Sequence, residues 1–110
     1  MASLGSITWS GASGEALEFT IYEWGKQFKA VGAVYVISHR TPKLSDGGRH
    51  EPIYIGETGD LSERFDDHHK ASCISRHGPN RICIHRDGNA KSRRHKEADL
   101  IQKWSPPCND

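Results

Sequence analysis

Apolar and polar positions alternate with a period of two through much of the first half of the chain, a pattern that predicts strands. Ile7-Thr8-Trp9 and Leu17-Glu18-Phe19-Thr20-Ile21-Tyr22 flank the turn formers Gly11-Ala12-Ser13-Gly14. In the second run Leu17, Phe19 and Ile21 interleave with Glu18, Thr20 and Tyr22, as in one half-buried arm of a hairpin. Gly32 to Ser38 is β-branched and largely apolar without alternation, which predicts a central strand. Thr41 to Glu51 carries the Pro, Asp and Gly of a loop, and Pro52 to Gly56 is a second short strand. The two strands are expected to pair antiparallel.

Helical signals follow. Asp60 is a good N-cap, with Glu63 three positions on completing a capping box, and the helix is expected to run to about Lys70. It would lay Leu61 and Phe65 against the sheet. Arg81 to Arg86 alternates Ile82 and Ile84 with Cys83 and His85 and predicts a further strand. Asn89 caps a last helix from Ala90 to about Trp104, which Pro106 and Pro107 stop. This order implies an α+β fold: a small, mostly antiparallel central sheet flanked by helices, with an N-terminal β-hairpin. Residues 1–30 are expected to form the hairpin extension and 31–110 the core, in a single domain overall.

The last helix contains an anomaly. Leu100, Ile101 and Trp104 form an apolar stripe that continues, one turn at a time, into Glu97 and then Arg93. A carboxylate in line with a core stripe marks either a cleft or a helix running out into solvent. In the preceding helix Arg64 and His68 stand one turn apart beside Leu61 and Phe65, a stack that calls for an anion such as a phosphate, or for Asp67 or Glu63. Just upstream, Gly56-Glu57-Thr58-Gly59 is a tight strand-to-helix turn whose main-chain N–H groups favour an anion.

Overall charge adds little, since the 110 residues carry a net +1. Its distribution adds more: between Lys70 and Lys96, Asp87 is the only carboxylate among Arg76, Arg81, Arg86, Lys91, Arg93 and Arg94. This is either a basic face for an anionic partner or a solvated helix face. Cys73, Cys83 and Cys108 are odd in number and form no C-x-x-C pair, so they are expected to be reduced thiols. The histidines at 39, 50, 69, 77, 85 and 95 have no metal-ligand spacing and are expected at the surface or in packing. No stretch approaches the roughly 20 apolar residues that cross a bilayer, nor is there a secretory leader, so a cytoplasmic protein with no membrane partner is expected.

Ala33-Val34-Tyr35, Tyr54-Ile55-Gly56, Thr58, Leu61, Arg64 and His68, followed by Glu97, Leu100-Ile101, Pro107 and Asn109, together resemble the GIY-YIG nuclease domain. The resemblance covers Gly32 to Asn109. Gly32 stands one position early for the first motif, and Glu57 stands where many relatives have lysine. What the resemblance implies is a metal-dependent endonuclease that hydrolyses phosphodiester bonds, with DNA expected ahead of RNA. Tyr35 would be the general base, assisted by Tyr54, and Arg64 would hold non-bridging phosphate oxygens with its planar fork of donors. Gly56 and Thr58 would join Arg64 at the phosphate, and His68 would orient phosphate or nucleophile. Glu97 would ligate one Mg²⁺ or Mn²⁺, and Asn109 would fix the site through hydrogen bonds. Sequence specificity would call for a homodimer or a partner protein. A non-catalytic nucleic-acid-binding or interaction module on the same fold is the alternative.

Overall fold

The computed structural model describes residues 3–41, 49–62 and 70–109, apart from the Arg49 side chain. Its elements in chain order are β1 (Ser6–Ser10), β2 (Ala16–Glu23), β3 (Ala33–Thr41), β4 (Arg49–Thr58), α1 (Ala71–Arg76), β5 (Arg81–Arg86) and α2 (Ala90–Trp104). A short 3₁₀ turn, Pro107–Asn109, follows. The strands form one sheet in the order β1-β2-β5-β3-β4, with every neighbouring pair antiparallel. The fold is therefore α+β, with a five-stranded antiparallel sheet and two helices among the described residues. Neither of those helices is long and apolar enough to cross a membrane.

Burial follows the hydrophobic pattern. β2 buries Leu17, Phe19 and Ile21 on one face and carries Glu18, Thr20 and Tyr22 on the other, as alternation requires. β3 and β5 are apolar on both faces and lie inside the sheet. One face, made by Trp9, Phe19, Val34, Val36, Ile55 and Cys83, packs with Leu100 of α2. The other groups Tyr35, Ile37, Tyr54, Ile82 and Ile84 with Leu61, Ile74 and Cys108. The β3–β4 register shifts after Ile37, which pairs with Tyr54, while Ser38 pairs with Pro52. Ile53 is the extra residue of this bulge, so Ile53 and Tyr54 both pack on the second face.

β4 runs from Arg49 to Thr58, so it takes in part of the expected loop and Pro52 at one end and, at the other, Gly56 to Thr58, which are paired strand and not the expected tight turn. The proline is tolerated because β4 is an edge strand and the residue sits at the bulge, where no ladder donor is needed. Of the helix expected from Asp60 to Lys70, most lies outside the described residues. At its start Asp60 accepts from the Ser62 main chain at 2.8 Å, and Leu61 is buried, donating its main-chain N–H to the Val31 carbonyl at 2.9 Å. Phe65 is outside the described residues. The short α1 was not foreseen: it has six residues, no side-chain cap at Lys70 and one buried position, Ile74.

α2 is bounded as expected. The Asn89 side chain accepts from the Ser92 N–H at 2.8 Å, and Ser105 ends the helix with φ 43° and a bond to the Ile101 carbonyl. The far end of α2 clasps the first hairpin. Trp104 donates its indole N–H to the Ser10 carbonyl at 2.9 Å and meets Trp9 edge to face at 5.0 Å. Asp99 accepts both the main-chain N–H and the hydroxyl of Ser13, at 2.9 and 2.7 Å. These contacts fix the rotation of α2, and with it the direction in which Glu97 and Arg93 project.

The cysteines differ from expectation. Cys73 and Cys108 form a disulfide across 35 residues of sequence and only Cys83 is free, so the three are not all reduced thiols. An odd count hides such a pair, because connectivity depends on tertiary proximity and not on spacing. The bridge ties α1 to the C-terminal turn.

Candidate active site

The site is organised by the edge strand β4. Alternation places Tyr54 and Gly56 on the face shared with Tyr35, and Ile55 and Glu57 on the face towards α2. Tyr35 lies directly opposite Gly56 in the register, and the two tyrosine rings stand 6.1 Å apart at 35°. A β-carbon on Gly56 would lie 2.5 Å from the Tyr35 hydroxyl oxygen and 2.8 Å from the Tyr54 ring. Glycine is required because the Tyr35 phenol lies across the bare backbone.

The outward rungs of β4, which an edge strand leaves open, are taken by two side chains. Asn109 accepts from the Ile55 N–H at 2.9 Å and donates to the Ile55 carbonyl at 2.8 Å, copying a strand partner with its amide. Two residues on, the Glu57 main-chain N–H faces the Glu97 carboxylate and favours its charged form. Glu97 and Asn109, distant in sequence, thus dock along the same edge, on either side of Gly56.

Glu97 is half-buried, neither deep in the core nor out in solvent as a helix simply emerging would leave it. Burial pushes its carboxyl pKa up, the Glu57 carboxylate pushes it further, and the Glu57 N–H offsets part of this. Tyr54 is also raised, by burial first and then by the Glu97 charge. Tyr54 therefore keeps its proton at neutral pH.

Arg93, which sequence reasoning left unassigned, is the cation paired with Glu57. It is 8 % exposed, and its Nε donates to Glu57 Oε1 at 2.8 Å while Nη1 donates to the Asp87 carbonyl. Its guanidinium also crowds Gly32, where a β-carbon would lie 2.5 Å from Nη1, so that glycine is a site of close approach. The stripe running from Leu100 through Glu97 to Arg93 was the signal: those charged positions face protein because they have partners there. Asp87 is held well below the usual carboxylate range by Lys96, then by Ser92 and the Asn89 N–H, which compensates the acid in the basic segment.

The remaining residues divide. Thr58 uses its hydroxyl within the turn, donating to the Asp60 carbonyl at 3.2 Å and accepting from the Asp60 N–H at 3.1 Å. Arg64 and His68 lie outside the described residues. Tyr35, Tyr54, Gly56, Glu97 and Asn109 are gathered around one strand edge. Cys73, His77 and Cys108 form a further cluster whose ligand atoms all lie within 4.8 Å of one another, and His77 had been assigned only to surface or packing. Its signal was the four-residue step from Cys73 to His77. No protein-family model, curated protein or solved structure matches the chain.

A prediction follows from Glu97. A carboxyl raised on folding favours the protonated state, so its stabilising contribution is full below the unfolded pKa and is lost as pH rises through the folded one. Glu97→Gln is expected to raise the metal-free unfolding midpoint at pH 7 by a few degrees, the equivalent of about 1 kcal/mol in a domain this size. At pH 4 the gain should shrink. Thermal unfolding in EDTA at the two pH values checks this, and a variant destabilised equally at both would contradict it.

Proposed function

We propose that the chain is a GIY-YIG-type nuclease that hydrolyses phosphodiester bonds, with DNA as substrate, in the cytoplasm. The observation that carries this is the gathering of Tyr35, Tyr54, Gly56, Glu97 and Asn109 around the edge of β4. Hydrolysis needs a proton acceptor for water, donors for the phosphate oxygens and cationic charge near the leaving oxygen. Tyr35 takes the base position, Tyr54 supplies a hydroxyl donor beside it, and Arg64 with Gly56 and Thr58 at the end of β4 takes the phosphate. His68 orients phosphate or nucleophile next to Arg64. Asn109 holds the strand that carries Tyr54 and Gly56.

Glu97 fits a cation site, because it is a half-buried carboxylate raised by burial and by Glu57, with no described cation bonded to it. Glu57 has its own partner in Arg93, which leaves Glu97 as the protein ligand we assign among the described residues. Mg²⁺ or Mn²⁺ bound there would neutralise phosphate charge and draw most other ligands from water and substrate.

Support for a nucleic-acid partner comes from a cavity of about 530 Å³ lined in part by Tyr22, Lys26, Phe28, Lys29 and Arg86. The Lys26 ammonium lies 5.4 Å from the centre of the Tyr22 ring and 5.7 Å from that of Phe28. Cations interleaved with aromatic rings offer charge to phosphates and faces to bases. Its wall includes Ile84, the cross-strand neighbour of Tyr35. Calorimetric titration with Mn²⁺ tests the metal assignment. Wild type is expected to bind one ion, and Glu97→Ala to lose it. Unchanged binding in the variant would move the ion elsewhere.

A further inference from the structure

We propose that Cys73, His77 and Cys108, once the disulfide is reduced, form a binding site for one thiophilic divalent cation of the zinc class. The three residues join the end of α1 to the C-terminal turn, on the protein's second sheet face. Their ligand atoms lie within 4.8 Å of one another, and the Cys73 and Cys108 α-carbons are 5.8 Å apart. Zinc–sulfur and zinc–nitrogen bonds of about 2.3 and 2.0 Å set the edges of a tetrahedral site at roughly 3.5–3.8 Å. The Cys108 sulfur already stands 3.7 Å from His77 Nδ1. The two sulfurs need to separate and the imidazole to turn towards them, and the fourth position goes to solvent.

A disulfide alone does not require the histidine. The four-residue step puts Cys73 and His77 on the same side of α1, where the His77 Nδ1–H donates to the Cys73 carbonyl at 2.9 Å. In the cation-bound form the ring gives up that bond, carries its proton on Nε2 instead of Nδ1, and turns the Nδ1 lone pair inward. Two thiolates and an imidazole are a soft donor set that selects zinc over magnesium. Cys83 does not compete: it is fully buried on the other sheet face, and desolvation pushes its thiol up to about 11.

The chemistry balances. A dithiol delivers two electrons and two protons, closes to its own disulfide, and leaves Cys73 and Cys108 as thiols. Cation binding then releases the two thiol protons to solvent. The six-residue α1 has no side-chain cap and needs tertiary anchoring. Cys108 directly precedes Asn109, which is paired with Ile55. The cation therefore replaces the covalent staple under reducing conditions and keeps the C-terminal turn on β4.

The test is anaerobic Co²⁺ titration of the full chain. One sample is oxidised and the other reduced by a trialkylphosphine, which is itself converted to the oxide. The reduced protein is expected to bind one Co²⁺ with thiolate charge-transfer absorption and the visible bands of tetrahedral geometry. The oxidised protein and a Cys73→Ser/Cys108→Ser variant should show neither. His77→Ala should weaken binding at least tenfold. If reduction alone disorders the chain, Co²⁺ or Zn²⁺ should restore its circular dichroism. Absence of the thiolate spectrum in reduced wild type, its persistence in the double variant, or failure of the cation to restore a disordered chain would each overturn the proposal.

Discussion

Tyr35→Phe is expected to lower DNA cleavage by about 10²-fold or more, the usual worth of a positioned acid–base group, while folding and DNA affinity change little. The ring packs against Ile37, Ile84 and Tyr54 in the core, and phenylalanine retains that packing. Only the hydroxyl that lies across Gly56 is removed. A mainly structural role for Tyr35 would lower stability and activity together. Binding without any cleavage in wild type would favour the non-catalytic module. Wild-type cleavage by Tyr35→Phe would move the base to His68 or to a metal-bound hydroxide.

Gly56→Ala should damage both stability and activity. The added methyl would stand 2.5 Å from the Tyr35 oxygen and 2.8 Å from a Tyr54 ring carbon, closer than van der Waals contact allows. Both rings are buried, so neither can swing clear without displacing the core of the second sheet face. Overpacking of this kind costs about 1–3 kcal/mol, and each kcal/mol lowers the unfolding midpoint by roughly 4–8 °C in a domain of this size. Displacing the tyrosines by about 1 Å is enough for a further loss of about 10² in rate. Thermal unfolding together with single-turnover cleavage measures both effects. An alanine variant as stable and active as wild type would show that the phenol does not lie across Gly56.

Local signals made much of the framework legible. The period-two alternation of β2 and the unbroken apolar run of β3 identified those strands because burial follows side-chain direction directly. Asn89 and the paired prolines bounded α2 through capping and a missing donor, both local effects. The sheet order was not legible: β5 inserts between β2 and β3, and nothing in Arg81 to Arg86 specifies its neighbours. The short α1 lacks a cap, and its periodicity rests on one buried isoleucine, so it left no trace to follow.

At the site, the Glu97–Arg93 line was visible as an anomaly, while its meaning depended on Glu57 arriving from β4. The extra carboxylate after Gly56, near the end of β4, is thereby explained as the partner of a buried arginine. The disulfide and its neighbouring histidine stayed hidden because 35 residues separate the two cysteines in sequence.

The most direct measurement of the central claim is cleavage of supercoiled plasmid by the purified chain with Mg²⁺, Mn²⁺ or EDTA, alongside Glu97→Ala. A metal-dependent nuclease built on the edge of β4 should nick the plasmid with either cation, stop in EDTA, and lose at least about 10² in rate when the Glu97 carboxylate is removed. Cleavage that persists in EDTA, or a Glu97→Ala variant that cuts at the wild-type rate, would contradict it.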